Sequence, residues 1–376
     1  MSDEKTTDDY ALKASVQQSV AAPELPYLPP KPKTYSPKIG LIACGGITQA
    51  HLSAYSAQGY NVVALCDVDR EKAEKRRDEF YPEAKTTTDF EDILRDSEIE
   101  VVDIASHPRE RLPLVEAALM AKKHVLSQKP FVLSLDEGER LCELADANGV
   151  KLAVNQNGRW APHFSYIREA VQAGLIGDVI SAHVGVHWDH TWVKGTAFEN
   201  IYDLVFYDFA IHWFDFVSTL IPGKARSVYA TRAHAAGQTI GPPMLAQAMV
   251  QFDGGQASLV FDAHVKHGSL DQTFVAGTDG TLTSTGPDLG TQTVTLTTAA
   301  GVATPNLTGT WFNDGFKGTM GELLCAIEEN REPRNSGRSN LASLALCFAA
   351  IASANENVPK TIGEVRTLPA GSAPGV

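Results

Sequence analysis

The chain has 376 residues, which is more than one ordinary hydrophobic core accommodates, so its length predicts two domains. Hydrophobic residues make up 43% of the chain and charged residues 20%, a composition typical of globular proteins. The formal net charge of −13 argues against nucleic acid or an anionic membrane as a partner, because like charges repel.

Cysteine usage and the lengths of the apolar runs predict a cytoplasmic protein. No uninterrupted apolar stretch is long enough to span a membrane, and the polar, acidic N-terminus lacks the apolar core of a signal peptide. The cysteines are odd in number, scattered and mostly inside apolar runs, which favours reduced core thiols over disulfides or a zinc site. They are Cys44, Cys66, Cys142, Cys325 and Cys347.

The first 37 residues are predicted to form an N-terminal arm. A polar start leads into a proline-rich stretch, residues 23–32, that cannot hold a helix or a central strand. A disordered tail or spacer is the favoured interpretation. The alternative is that Leu25, Tyr27 and Leu28 dock on a neighbouring subunit, since apolar residues in an extended arm need a surface to rest on.

Residues 38–51 have the pattern of a dinucleotide-binding loop. An apolar run typical of a buried parallel strand breaks at Gly45-Gly46, and a helix can begin at Ile47. A turn without side chains lets a phosphate approach the backbone, and the helix start offers it free N–H groups. However, Ala43 and Thr48 replace the first and third glycines of the usual motif, so this stretch alone fits an ordinary strand–turn–helix connection equally well.

An acidic residue completes the nucleotide-binding pattern. The next apolar run, residues 61–66, ends at Asp67, whose carboxylate can accept both adenosine ribose hydroxyls and would repel a phosphate there. NAD is therefore favoured over NADP, although Arg70 lies close enough to weaken that preference. The alternative interpretation of Asp67 is a simple turn residue.

Strand and helix patterns alternate from residue 38 to about residue 155. Alternation with short connections predicts a Rossmann-type, doubly wound parallel sheet covered by helices on both faces. Ligands collect at the carboxyl ends of such strands, where Gly45, Asp67, Ser106 and Lys129 all fall.

The pattern changes after Asn155. One helix leads into strands rich in Val, Thr and aromatic residues, including a hairpin turn at residues 253–256, and helices follow. The predicted fold class is thus α/β plus α+β, the second domain having a largely antiparallel open sheet. Such a sheet has a face to bury, which predicts a homodimer or homotetramer. The expected divisions are an arm (1–37), a nucleotide domain (38–156), a substrate and oligomerisation domain (157–365) and a tail (366–376).

Lys129 lies between an apolar strand and Pro130, at the predicted ligand-binding edge of the first sheet. Its ammonium could hydrogen-bond a substrate hydroxyl and favour loss of that proton. A solvated surface lysine is the alternative, and the tripeptide Gln-Lys-Pro by itself does not decide between them.

A second candidate group occupies an aromatic-rich segment. Asp208, His212 and Asp215 are spaced by four and three residues, so on a helix they would share one face. A histidine held by a carboxylate is the usual general base for a hydroxyl. A satisfied buried histidine is the alternative, but charged groups in so apolar a segment favour a site.

Four of the five tryptophans lie within 54 residues. Flat aromatic side chains with a polar edge suit the C–H faces of sugars, although core packing is expected for about half of these four. They are Trp160, Trp188, Trp192 and Trp213. His187 and His190 could suggest a metal site, but positions three apart in a strand point to opposite faces, so no metal is predicted.

Taken together, these residues resemble the glucose–fructose oxidoreductase and inositol dehydrogenase family, also called Gfo/Idh/MocA. The resemblance covers roughly residues 38–365. It rests on Gly45-Gly46-Ile47 with His51, Cys66-Asp67-Val68-Asp69, Thr88-Asp89-Phe90, residues 123–130 ending in Gln128-Lys129-Pro130, Asn155-Gln156-x-x-Arg159 with Pro162, and Asp208-x-Ala210-x-His212-x-x-Asp215.

The resemblance implies an NAD(P)-dependent dehydrogenase of sugars or polyols. By this likeness Lys129 contacts the reacting hydroxyl, Asp208 and His212 complete the catalytic set, and the histidine is the base. The expected cofactor-binding residues are Gly45, Gly46, Ile47, Asp67, Ser106, Gln128 and Lys129. The expected substrate-binding residues are Lys129, Asn157, Arg159, Trp160, His190, Asp208 and His212.

Two departures from the family pattern affect the site. Gln128 replaces the usual Glu before Lys-Pro, which removes a negative charge beside Lys129. The usual Thr-Pro-Asn stretch reads Ser106-His107-Pro108 and is followed by Arg111. That stretch borders the nicotinamide in the family, so the orientation of the substrate does not carry over.

The favoured function is an NAD-dependent sugar dehydrogenase that oxidises the anomeric carbon of an aldose, such as a pentose, to a lactone. An inositol or polyol dehydrogenase is the nearest alternative. A redox-neutral enzyme that processes glycosides with retained NAD is another. A sugar or NAD sensor without turnover is the third, although such a protein needs no base beside a lysine.

Overall fold

The computed structural model describes residues 18–374. Its first domain is built on strands β1 (Lys38–Ile42), β2 (Asn61–Cys66), β3 (Lys85–Thr87), β4 (Ile99–Ile104), β5 (His124–Gln128) and β6 (Leu152–Asn155). They form one sheet in the order β3-β2-β1-β4-β5-β6, and every neighbouring pair is parallel. The predicted parallel sheet is confirmed.

The helices between these strands are α1 (Thr48–Gln58), α2 (Arg70–Phe80), α3 (Phe90–Arg95), α4 (Pro108–Met120) and α5 (Leu135–Ala147). The strand order reverses between β1 and β4, which are neighbours in the sheet but not in the chain. The connections after these two strands leave the sheet in opposite directions and open a crevice at its carboxyl edge.

The second domain is built on a sheet of nine strands: β7 (Val179–His187), β8 (Ala225–Ala233), β9 (Leu245–Phe252), β10 (Gly255–Asp262), β11 (Leu270–Gly277), β12 (Gly280–Gly286), β13 (Thr293–Thr298), β14 (Gly301–Ala303) and β15 (Lys360–Thr361). Within this sheet, as far as residues 18–374 show it, the β7–β10 pair is parallel and the other neighbouring pairs are antiparallel. The predicted hairpin turn is confirmed, with Gly254 at the positive φ of 85° that a glycine tolerates best.

The remaining helices are α6 (Pro162–Gln172), α7 (Ile211–Leu220), α8 (Trp311–Glu328) and α9 (Gly337–Glu356). Helices cover one face of the nine-stranded sheet, and the other face is open. In β9, for example, Ala248 and Val250 are buried, whereas Gln247, Met249 and Gln251 alternate with them on the open face.

Helix α8 returns from the second domain to the first. Its Phe316, Met320 and Leu323 are fully buried in a core cluster with Leu41 of β1 and Leu52 of α1. The chain therefore crosses between the domains again after the second sheet. This return also brings the start of α8, beginning at Trp311, to the junction where the site lies.

The arm is ordered over residues 18–37, so the prediction of a disordered spacer is wrong there; residues 1–17 lie outside the described part. Ser19 bridges to Val302 of β14, and the Tyr27 ring packs edge-on against Tyr166 of α6, with the ring centroids 6.1 Å apart. The alternative prediction named a neighbouring subunit as the docking surface. In the structure this surface is the chain's own second domain, which offers the arm a strand edge and an aromatic ring.

Candidate active site

A cavity of about 300 Å³ lies between the carboxyl edge of the first sheet and the second domain. We call it the catalytic cavity. It brings together eight of the expected cofactor- and substrate-binding residues: Ile47, Ser106, Gln128, Lys129, Asn157, His190, Asp208 and His212. Gln128 ends β5 and Lys129 follows it, and the other six come from five further segments that the fold brings to this edge.

Lys129 and Asp208 form an ion pair in the wall of the cavity. Lys129 Nζ donates to the backbone oxygen of Asp208 at 2.8 Å and to its Oδ1 at 3.1 Å. The side chains are 16% and 24% exposed, so the pair is largely shielded but still reachable from the cavity. An ammonium has three N–H donors, and two of them are used here, which leaves one for a ligand.

His212 lies near this pair without a hydrogen bond to Asp208 or to any other described residue. Asp208 belongs to a π-helical turn, Val205–Phe209, and His212 to α7, so the pair does not keep the spacing of one regular helix. Thus the face predicted to carry Asp208, His212 and Asp215 together is not formed. The predicted orienting contact from Asp208 to His212 is replaced by the contact from Asp208 to Lys129.

The His212 ring presents one nitrogen to the catalytic cavity. Nδ1 is enclosed without a partner, on the side of Gly158, and the ring packs edge-on against Trp311 with centroids 5.4 Å apart. This leaves Nε2 as the nitrogen available to a ligand. Burial, helped by the positive charge of Lys129, holds the pKa of His212 well below its usual range, so the imidazole is neutral at physiological pH.

Aromatic side chains form the outer wall of the cavity. His190 packs on Phe209 with ring centroids 4.2 Å apart. Burial lowers the pKa of His190 to about 4, although the negative charge of Asp208 acts to raise it. Trp192 and Phe312 stand at the rim, 60% and 52% exposed. Such exposed rings offer flat apolar faces to a ligand.

Several polar groups around the cavity have no hydrogen-bond partner among the described residues. They are Ser106 Oγ, Trp188 Nε1, the Tyr207 hydroxyl, His212 Nδ1 and Trp213 Nε1. Buried polar atoms are normally satisfied, because an unpaired one costs about 1–3 kcal/mol. Their concentration around one cavity is typical of a site that is completed by a polar ligand.

The glycine turn beyond the cavity fits a bound dinucleotide. A Cβ added at Gly45 or Gly46 would meet nothing within 4 Å, so the backbone there faces open space that a phosphate can enter. Asp67 Oδ2 accepts the Cys44 N–H at 2.7 Å and holds this turn against β2. Each carboxylate oxygen keeps a free lone pair for a ribose hydroxyl.

Ala43 shows why the incomplete glycine motif still forms the turn. Its φ is 71°, the left-handed conformation that the usual first glycine adopts without strain. For alanine this conformation costs roughly 1–2 kcal/mol, which the pairing of its N–H with Cys66 O in β2 helps to offset.

Arg76 supports the glycine turn from behind, a role the sequence did not reveal. Its Nη2 lies 3.3 Å from Gly45 O and 3.5 Å from Gly46 O, while its Nη1 pairs with Glu79. Binding these carbonyls from below leaves the amides of the turn free for a ligand. Arg76 is one of several charged residues in α2, and nothing in that run distinguishes it before folding.

Gln128 is fixed by a buried network, which the sequence also did not reveal. Its Nε2 lies 3.2 Å from His51 Nε2, and His51 Nδ1 lies 2.7 Å from Asp103 Oδ2. Since an amide N–H only donates, His51 accepts through Nε2 and donates to Asp103 through Nδ1. Gln128 Oε1 then accepts the Lys129 backbone N–H at 2.8 Å, so the network positions the lysine.

Arg111 joins two walls of the cavity. It is 1% exposed, its Nε donates to Ser106 O at 2.9 Å, and its Nη1 donates to the backbone oxygens of Gln128 and Pro130. Burial lowers its pKa to about 10, so it stays charged at neutral pH. The segments that follow β4 and β5 are therefore held together by one guanidinium.

Two predicted substrate-binding residues lie outside the cavity. Arg159 donates from Nε and Nη2 to both oxygens of Asp215 at 2.7 and 2.6 Å, in a buried ion pair. Trp160 is 2% exposed and packs beneath Arg168. Arg159 thus joins the turn before α6 to α7, and Trp160 packs between Arg168 of α6 and Gly318 of α8. Neither lines the catalytic cavity.

Of the remaining predicted residues, Asn157 lies in the cavity and His187 lies outside it. Asn157 lines the cavity and accepts the Trp311 Nε1–H at 3.0 Å. His187 pairs with Asp262 at 2.8 Å on the open face of the second sheet, away from His190. Within residues 18–374 no group of three or more His, Cys, Asp or Glu side chains could hold a metal ion, and none of the helices there could cross a membrane.

Known proteins resemble this chain over most of its length. Residues 37–156 match the family described as "Oxidoreductase family, NAD-binding Rossmann fold", and residues 164–283 match the GFO/IDH/MocA C-terminal domain. The D-apiose dehydrogenase of Paraburkholderia graminis is 28% identical over 355 residues, or 90% of this chain and 92% of the relative. The inositol 2-dehydrogenase of Salmonella paratyphi B is 27% identical over 213 residues, or 55% of this chain and 62% of the relative.

The fold is shared with solved structures of lower identity. A levoglucosan dehydrogenase in complex with NADH and levoglucosan superposes with a TM-score of 0.75 at 18% identity, covering 88% of this chain and 100% of the other.

The fold, the glycine turn and the two family matches define an NAD-binding oxidoreductase. The chain belongs to the Gfo/Idh/MocA family, whose members include dehydrogenases of sugars and polyols. Its cofactor is NAD, as the sequence predicted.

Proposed function

We propose that this protein is an NAD-dependent sugar dehydrogenase that oxidises the anomeric carbon of an aldose to a lactone. The observation that carries the proposal is the placement of Lys129 and His212 in one cavity: a fixed ammonium with one free N–H stands near a neutral imidazole. An alcohol oxidation needs such a pair, because a proton must leave the hydroxyl while its oxygen develops negative charge.

In the proposed step the substrate CH–OH group lies against Lys129 and His212. The third N–H of Lys129 donates to the hydroxyl oxygen, and Asp208 prevents the lysine from swinging away. His212 Nε2 takes the hydroxyl proton, with the ring's own proton on Nδ1. NAD held at Gly45, Gly46 and Asp67 would supply the acceptor for the hydride that leaves the carbon, while the hydroxyl proton stays on the histidine.

The ring proposed to react is a compact aldose, pentoses included. The cavity of about 300 Å³ is at the small end of ligand sites, and it must also admit the nicotinamide. The aromatic rim of Trp192 and Phe312 suits the C–H faces of a sugar ring. An inositol would use the same three residues at a ring carbon, and the substrate panel below distinguishes the two.

The test is reduction of NAD, and separately of NADP, against a panel of aldoses, cyclitols and glycosides. The proposal expects reduced nicotinamide with free aldoses, and lactone or the derived acid as the product. NAD reduction only with inositols would show that the reacting carbon is a cyclitol ring carbon and not the anomeric carbon of an aldose. NAD retained by the protein without net reduction would favour a redox-neutral or sensing role.

We further propose that the open face of the second sheet joins two copies of the chain. Met249 and Phe274 are 58% and 40% exposed there, and a groove of about 480 Å³ lies beside them, lined by His183 and His187. Apolar side chains on an uncovered sheet face favour burial against a second copy. A Met249→Asp and Phe274→Asp double variant should lower the mass measured by sedimentation, and an unchanged mass would contradict this interface.

A further inference from the structure

A second cavity, which we call the auxiliary pocket, adjoins the catalytic cavity. Its volume is about 330 Å³, and it shares His107, Phe198, Ile201 and Tyr207 with the catalytic cavity as a common wall. The two cavities are therefore neighbours, and a ligand bound in one lies next to the other.

The auxiliary pocket is built by three segments that are fixed in place. One is the start of α4, one is the short 3-10 turn Ala197–Asn200, and the third is the C-terminal tail, which contributes Ala373 and Pro374. The tail is anchored by backbone hydrogen bonds from Leu135 N to Arg366 O at 2.8 Å, from Leu368 N to Leu133 O at 2.9 Å and from Asp203 N to Ser372 O at 2.9 Å. The pocket therefore has a defined shape.

The chemistry of the lining points to an uncharged polyhydroxyl ligand. Arg109 and Glu110 reach the pocket as neighbouring charges of opposite sign, and within residues 18–374 neither forms an ion pair or a side-chain hydrogen bond. Together they supply donors and acceptors while disfavouring a strongly charged ligand. Phe198 adds an aromatic face for C–H groups.

Tyr207 lies in the wall that the two cavities share. The residue is 3% exposed, and its buried hydroxyl has no hydrogen-bond partner among the described residues. A buried hydroxyl without a partner costs about 1–3 kcal/mol, which a sugar hydroxyl at the boundary would recover.

We propose that the auxiliary pocket is a second carbohydrate subsite, and that the preferred substrate is a disaccharide or longer glycoside whose reducing-end ring reacts in the catalytic cavity. This inference rests on the proposed function, since it places the reacting ring at Lys129 and His212. The attached ring lies between Phe198 and the C-terminal tail, with its hydroxyls near Arg109, Glu110 and Asn200.

The experiment compares each monosaccharide with its disaccharide in the NAD-reduction assay, using D-xylose with xylobiose and D-glucose with cellobiose. We expect kcat/KM to be at least tenfold higher for the disaccharide of the accepted sugar, mainly through a lower KM. The variant Ala197→Trp, at an exposed position outside the catalytic cavity, should remove this advantage and leave monosaccharide turnover unchanged. Ala300→Trp, in an exposed turn elsewhere, is the matched control and should keep the advantage.

Calorimetric binding of the disaccharides to the NAD-loaded protein separates the two proposals. Disaccharide binding that Ala197→Trp weakens about tenfold supports the subsite even if no NAD is reduced, in which case only the proposed reaction fails. Turnover of monosaccharides without preference for disaccharides overturns the subsite and leaves the dehydrogenase intact. Absence of disaccharide binding, or binding insensitive to Ala197→Trp, also overturns the subsite.

Discussion

Asp208 is the partner of Lys129 and does not contact His212. The Lys129 Nζ atom lies 3.1 Å from Asp208 Oδ1, although Asp208 and His212 are only four positions apart in the sequence. The π-helical turn that ends at Phe209 rotates the carboxylate away from the position it would take on a regular helix. The proposed mechanism therefore has two parts, a lysine held by a carboxylate and a histidine that acts without one.

This arrangement predicts the couplings in a double-mutant cycle. Asp208→Asn should lower kcat by about tenfold or more, because Lys129 loses the charge that fixes it. If Asp208 acts through Lys129, combining Asp208→Asn with Lys129→Met should cost little beyond Lys129→Met alone. When Asp208→Asn is combined with His212→Asn, the two losses in activation free energy should be nearly additive. Additivity with Lys129 and strong coupling with His212 would reverse this assignment.

His212 should remain an effective base at mildly acidic pH. Its pKa is held well below the usual value by burial and by the charge of Lys129, so the neutral form persists as the pH falls past 6.5. The acidic limb of kcat/KM against pH should therefore lie below 6.5, and His212→Asn should lower kcat by about 10²–10⁴. A limb centred near 6.5 or above would show that this histidine is not the base.

The lowered pKa of His212 also makes the stability of the fold depend on pH. The unfolded chain binds a proton on His212 more tightly than the folded chain, so this residue makes folding less favourable as the pH falls below about 6.5. His212→Asn should lose less stability between pH 7 and pH 5 than the parent protein does, measured by urea unfolding. Equal losses would contradict the depressed pKa.

Gly158 should be required for the position of His212. A Cβ there would lie 3.0 Å from Trp311 Cζ2 and 3.4 Å from His212 Nδ1, so Gly158→Ala must displace one of these rings by a few tenths of an ångström. Since a 1 Å misplacement can cost about 10²-fold in rate, we expect kcat to fall several-fold with little change in Tm. Gly241→Ala, whose nearest new contact is 3.9 Å away, is the control. Unchanged kcat in Gly158→Ala would show that the ring position is not critical.

Arg76 should contribute to NAD binding through the glycine turn. Arg76→Met leaves the Gly45 and Gly46 carbonyls without that donor, and we expect the Kd for NAD to rise about five- to thirty-fold, equivalent to about 1–2 kcal/mol. Arg77→Met on the same helix removes an exposed pair with Asp78 and should leave Kd unchanged. Calorimetry without sugar measures both, and equal effects of the two variants would argue against the specific role of Arg76.

Glu328 should hold the N-terminal arm in place. Its carboxylate accepts the backbone N–H groups of Lys33, Thr34 and Tyr35 at 2.8, 2.7 and 2.9 Å. These bonds lower the pKa of Glu328 to about 2, so its contribution is complete above about pH 4.5 and is lost as the pH falls towards 2. Glu328→Gln should speed hydrogen exchange of these three amides at pH 7, whereas Glu329→Gln should not. Retained protection in Glu328→Gln would contradict this contact.

Local patterns predicted those parts of the site that depend on one or two neighbouring elements. The turn at Gly45-Gly46 and the carboxylate of Asp67 follow from a strand ending beside another strand, so their meeting at the sheet edge was predictable. The departure at Ala43 did not abolish the turn, because β1 and β2 impose the left-handed conformation on it. The substrate side was less predictable. Arg159 matched the family pattern and Trp160 belonged to the tryptophan cluster, yet both are buried among the helices.

The sequence by itself determined the alternation of strands and helices, the open antiparallel sheet, the nucleotide turn and the presence of Lys129, Asp208 and His212, because periodicity and turn chemistry are local properties. Only the tertiary structure decided which groups meet. Asp208 pairs with Lys129, and Arg76 reaches the glycine turn, through contacts whose geometry no spacing along the chain encodes. The arm and the C-terminal tail likewise pack against segments that are remote in sequence. Their extended backbones have no local pattern from which those contacts could be predicted.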